Sequence, residues 1–91
     1  MGKTTLTRGE RLFVGLNAFE PGQEHAPHAH ADQDKFYYVL SGSGRVQIGD
    51  ESRTVAAGDA AFAPAGVEHA LHNPGPERLV VLVVLGPPPT G

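Results

Sequence analysis

The sequence predicts one all-β domain over residues 1–91, a small barrel or sandwich. Three observations carry that expectation. Twelve glycines and eight prolines are scattered through 91 residues without a repeat, and that density of turn-formers favours many short strands. Runs rich in β-branched and aromatic residues return roughly every 8–12 residues, each closed by a turn signal. No segment sustains a helical period, and no interdomain linker interrupts the chain.

In order along the chain, residues 11–20 read as a strand that stops at the turn pair Pro21-Gly22. Residues 23–34 are polar and histidine-rich, and Pro27 biases Ala26 away from helix, so this stretch is expected to be extended or loop-like. Residues 35–41 and 45–48 are strand-like on either side of Gly42-Ser43-Gly44, which predicts a hairpin between them. Residues 51–55 form another short strand before the turn at Ala57-Gly58-Asp59. Ala60 to Ala63 is short and apolar and breaks at Pro64, which suits the end of an edge strand. His69 to Asn73 is the next strand, ended by Pro74-Gly75-Pro76. Arg78 to Leu85 is the strongest strand, apolar on both faces, as for an interior strand or a paired interface. The tail, residues 86–91, is expected to be flexible.

Composition removes several function classes. Net charge is -3 and no basic block exists, which excludes nucleic-acid binding through clustered Lys and Arg. The absence of cysteine excludes disulfides, thiolate catalysis and zinc fingers, and it suits a reducing, cytoplasmic setting. No apolar signal-like segment opens the chain, and the longest apolar run, Leu79 to Leu85, is too short to span a membrane as a helix.

Histidine is the exception to an ordinary composition: His25, His28, His30, His69 and His72 fall in two clusters. His28 and His30 are two apart, so on an extended chain both imidazoles reach one face and can supply two adjacent metal ligands. His69, on a distant strand, can supply a third. His72 has the opposite parity to His69 and is expected to face away from it. His25 alone reads as a rim residue.

These residues also form two longer patterns. Gly22, His28, His30 and Gly42, with Lys35 between them, follow G-x5-H-x-H-x4-(K)-x6-G. Gly58, Pro64, Gly66, His69 and Asn73 follow G-x5-P-x-G-x2-H-x3-N. Residues 22–42 resemble the first cupin motif, and residues 58–73 resemble the second at every defined position. The resemblance implies a double-stranded β-helix of the jelly-roll type, with a divalent transition metal in the barrel mouth. It carries His28, His30 and His69 over as ligands. The metal could be Fe, Mn, Ni, Cu or Zn, all compatible with imidazole.

The sequence departs from the family pattern where a glutamate is expected, because Lys35 stands there. An ammonium has no lone pair to give and repels a cation. Three readings follow: a three-histidine site with Lys35 turned aside or at the rim, a shifted strand that brings in Asp34 (or Gln33 or Asp32), or a pocket in which Lys35 binds an anion and the metal is lost. With three neutral imidazoles the cation keeps its full charge, so a small anionic organic ligand is the expected partner. Metal-dependent oxygenase chemistry is the leading enzymatic expectation. The alternatives are a non-catalytic binding or sensor module and a sugar or keto-acid isomerase.

Other candidates carry less. Tyr37 lies in phase with Lys35, with core packing its plainer role and a pocket contact the other. Phe13, Phe19 and Phe62 are expected in the core. Asp59 and Asn73 are expected to fix turns or strand ends, and Glu68 to point outward. Ser41, Ser43 and Ser52 have no triad partners, and Gly2-Lys3-Thr4 lacks the glycine loop of a phosphate site. A barrel this small has limited core, so a homodimer is expected, using Arg78–Leu85 and Leu12–Val14.

Overall fold

A computed structural model describes residues 1–88. Nine strands and no helix form among the described residues: β1 (Gly2–Arg8), β2 (Phe13–Phe19), β3 (Glu24–His28), β4 (Asp34–Ser41), β5 (Ser43–Ile48), β6 (Glu51–Ala56), β7 (Ala60–Ala63), β8 (His69–His72) and β9 (Leu79–Gly86). They make two antiparallel sheets, in the orders β1-β2-β9-β4-β7 and β3-β8-β5-β6. This is the expected all-β jelly roll, a double-stranded β-helix. No described helix is long and apolar enough to cross a membrane.

The core lies between the sheets and is built by period-two alternation. Odd residues of β9 point inward, with Leu79 and Val81 0% exposed and Val83 3%. Lys35, Tyr37 and Val39 of β4 and Phe19 of β2 join them, facing Val46, Val55, His69 and Leu71 of the other sheet. The even residues of β9 are half-buried on the outer face, which explains why the strand is apolar on both sides. β9 is flanked by β2 and β4, so it cannot offer an edge to another chain.

Four sequence expectations change. The hairpin expected between residues 35–41 and 45–48 does not form: β4 pairs with β7 and β9, whereas β5 pairs with β6 and β8. The chain changes sheets at Gly42, whose φ is 79° and where an added Cβ would run into the Arg78 carbonyl. The hairpin is instead β5–β6, closed by Gly49-Asp50 with Ile48 opposite Glu51. Positive φ at Gly49 alone is the II′ signature, which matches the twist of the flanking strands. Residues 2–8, assigned to no element from the sequence, form the edge strand β1. Its run Lys3-Thr4-Thr5-Leu6-Thr7 is rich in β-branched threonine, and that was the available signal. Phe62 is 51% exposed on the edge strand β7, not in the core, because it has outward parity there. The segment expected to be flexible begins as strand: β9 runs through Gly86, and Gln33 Nε2 donates to the Pro87 carbonyl at 2.9 Å. Residues 89–91 lie outside the described residues.

Asn73 fastens the end of β8 to its surroundings. Its side chain is fully buried, and Nδ2 donates to the Phe19 carbonyl at 2.9 Å and the Glu77 carbonyl at 2.8 Å. Its Oδ1 accepts the Gly75 N–H at 2.9 Å. Asn73→Ala strands all three backbone groups. The expected cost is about 2–4 kcal/mol, read as a lowered urea midpoint at unchanged slope.

Candidate metal centre

The four-stranded sheet brings the two histidine clusters together because β3 and β8 are hydrogen-bonded neighbours in it, with His28 opposite His69. His30 lies just past β3, where its carbonyl accepts the Gly66 N–H at 2.8 Å. Asp34 Oδ1 accepts the neighbouring Ala65 N–H at 2.9 Å. The second motif's turn therefore holds the loop that carries the first motif's histidine. One ligand atom from each of His28, His30 and His69 lies within 4.8 Å of the others. Ring centroids are 4.2 Å apart for His28–His69 and 4.8 Å for His28–His30.

Backbone carbonyls decide which nitrogens are free. His28 Nδ1 lies 2.8 Å from the Ala26 carbonyl and His69 Nδ1 lies 3.0 Å from the Val67 carbonyl. A carbonyl only accepts, so each Nδ1 must carry the hydrogen, and each Nε2 is left with a bare lone pair. Both Nε2 atoms are buried and have no hydrogen-bond partner among the described residues. A buried polar atom left unpaired is costly, and fixing the far ring nitrogen to a carbonyl is how proteins orient imidazole toward a metal. The donor set suits a divalent transition ion.

Lys35 does not bend away to the rim. It is 3% exposed on the inner row of β4, where it lines a cavity of about 350 Å³ together with His25, His28 and His30. Its ammonium sits 5.1 Å from the Tyr37 ring centre, and no hydrogen bond or ion pair to it occurs among the described residues. Burial first, and then Lys3, pull its pKa down to about 8. Asp34 is exposed and occupied with Ala65, so the strand is not shifted to present it. Tyr37 is buried, its hydroxyl has no partner among the described residues, and burial raises its pKa. Its ring centre is 6.3 Å from that of His69. His72 takes the outward parity expected of it.

His25 is more than a rim residue. Between His25 and His28 the strand gains one residue relative to β8, so Leu71 and His69, two apart, face His25 and His28, three apart. This bulge turns His25 to the same side as His28, with ring centres 4.2 Å apart. Parity counting cannot see a bulge, which is why the sequence reading missed it. Burial, followed by coulombic repulsion from Lys35, His28, Lys3 and His69, drives its pKa down to about 3. The pKa values of His30 and His69 are also lowered, burial again leading.

These shifts set a pH dependence. A base whose folded pKa lies below its unfolded value binds fewer protons when folded, so stability falls as pH drops through the window between the two. For His25 that window runs from about 6.5 down to about 3. The urea midpoint of chelator-treated protein is expected to decline on acidification below pH ~6.5, and His25→Asn to flatten the decline. An equal slope in the variant would contradict this.

The fold recurs in known proteins. An uncharacterized protein of Streptomyces coelicolor is 41% identical over 81 residues, covering 89% of this chain and 75% of its own. A crystal structure of a Thermus thermophilus protein superposes with a TM-score of 0.94 at 40% identity, over 98% of this chain and 85% of that one. Mannose-1-phosphate guanylyltransferase 2 of Escherichia coli O157:H7 is 31% identical over 71 residues, which are 78% of this chain but 15% of that enzyme. The Cupin domain model matches residues 15–85, and the chain belongs to the cupin family.

Proposed function

We propose that the protein binds one divalent transition metal through the Nε2 atoms of His28 and His69 and a ring nitrogen of His30, and takes a small anionic organic ligand beside it. The observation that carries this reading is the pair of buried, unpartnered Nε2 atoms whose rings are locked by backbone carbonyls. Three neutral imidazoles leave the cation's charge uncompensated, and the buried Lys35 ammonium adds to it, so the cavity favours an anion. A bound metal with open positions supplies Lewis acidity and, for a redox-active ion, a route to oxygenase chemistry.

The test is equilibrium dialysis of chelator-treated protein against Zn(II) and Mn(II), followed by elemental analysis. One metal per chain, lost in His28→Ala, supports the reading; binding below one per chain that survives that change removes it. Oxygen uptake by the Fe(II)-loaded protein with small carboxylates separates an oxygenase from a binding module.

We also propose a homodimer through the outer face of the five-stranded sheet, where Tyr38, Leu40 and Phe62 are 37%, 46% and 51% exposed. Sedimentation is expected to show a dimer that Phe62→Lys dissociates.

A further inference from the structure

The cavity beside the three histidines carries a second cationic end that the metal reading does not use. Lys3 on β1 and Lys35 on β4 both line it. Their strands are three spacings apart across the five-stranded sheet, about 14 Å, and their rows are four residues apart along it. The register places Lys3 beside Asn17, and Lys35 in one row with Leu85 and Phe13. The two ammoniums are close enough to feel each other, since Lys3 contributes to lowering the pKa of Lys35. Among the described residues no carboxylate lines the cavity. Between its cationic ends Phe13, Val83 and Leu85 form an apolar strip, bordered on the β1–β2 side by Thr4, Thr5 and Asn17.

A monoanion would neutralise only one end of this cavity. We propose that the ligand is a short-chain dicarboxylate: one carboxylate at Lys35 and the metal's open positions, the methylenes on Phe13, Val83 and Leu85, and the second carboxylate at Lys3 and the Asn17 amide. This deepens the metal-and-anion reading above and rests on it for the first carboxylate only. The second carboxylate is recognised by this chain's own Lys3 and Asn17, and its contribution is separable. Charge-assisted hydrogen bonds from two donors give it both affinity and direction.

The test is calorimetric titration of the full chain, loaded with Zn(II), with succinate and glutarate against butyrate and valerate, which have the same carbon counts. The dicarboxylates are expected to bind at least tenfold more tightly, and Lys3→Met to cut that ratio below threefold. Equal affinities within each pair, a ratio unmoved by Lys3→Met, or no binding of any of the four overturns the proposal. Failure of the metal reading looks different: the protein takes up no Zn(II), while Lys3→Met still lowers succinate affinity in the metal-free protein. Lys3 lies on an exposed edge strand, so the variant is expected to fold, checked by its urea midpoint.

Discussion

Replacing His69 with alanine is expected to lower affinity for divalent transition metals by more than about 100-fold, since loss of mere supporting partners already costs 10–100-fold. His69 is the only one of the three clustered histidines contributed by β8, and it is 1% exposed. His25, the other imidazole in the cavity, is not part of the group whose ligand atoms converge. No carboxylate lines the cavity among the described residues, and His72 faces the other way. The fold should survive, because the deleted ring brings with it a buried Nε2 that has no partner. Competition against a chromophoric chelator measures the affinity, and the urea midpoint of metal-free protein measures the fold. An affinity drop below tenfold would show that His28 and His30 hold the metal without it.

The second large effect runs the other way. Lys35→Glu is expected to raise metal affinity tenfold or more. Lys35 occupies the inner row of β4, in the cavity that His28 and His30 also line. A unit charge ~4 Å from another interacts by about 4 kcal/mol at the effective dielectric of a protein surface. The substitution both removes a repulsive charge and supplies an attractive one with a lone pair. Even if solvent screened away two-thirds of one such term, about 1.4 kcal/mol would remain, which is tenfold. The same substitution should weaken dicarboxylate binding, because the cavity loses one of its two ammoniums. Unchanged metal affinity would place the Lys35 side chain outside reach of the ion, whatever the backbone suggests.

The fold was legible because most strands announce themselves through alternation and turn residues. Tyr37 and Val39 faced inward as their parity with Lys35 required. Arg78–Leu85 was recognisable as an interior strand from its unbroken apolar run, apart from one residue at each end. What the sequence concealed was pairing. A tight glycine turn between two strand-like runs looks like a hairpin whether the chain returns on itself or crosses to the opposite sheet, as it does at Gly42. β1 was missed because every residue in it is exposed, leaving no hydrophobic alternation to read. That omission also hid Lys3, and with it one end of the cavity.

The histidine cluster was legible for a different reason. The H-x-H spacing and the distant His69 specify a convergence that depends only on strand geometry and the adjacency of β3 and β8. The tautomers were not legible, because they are set by the carbonyls of Ala26 and Val67, whose positions are a property of local backbone conformation. Nor was the placement of His25. A bulge adds one residue without any composition that marks it, and the count of intervening residues then misleads.

The account turns on whether three imidazole nitrogens share one cation. X-ray absorption at the zinc edge, on protein loaded with one equivalent of Zn(II), addresses that directly. The expected spectrum has three imidazole ligands at about 2.0–2.1 Å, with their outer-ring scattering, and one or two lighter oxygen ligands. In His69→Ala the imidazole scattering should fall by a third. A wild-type spectrum of oxygen ligands alone, or one unchanged by removing His69, would contradict the account.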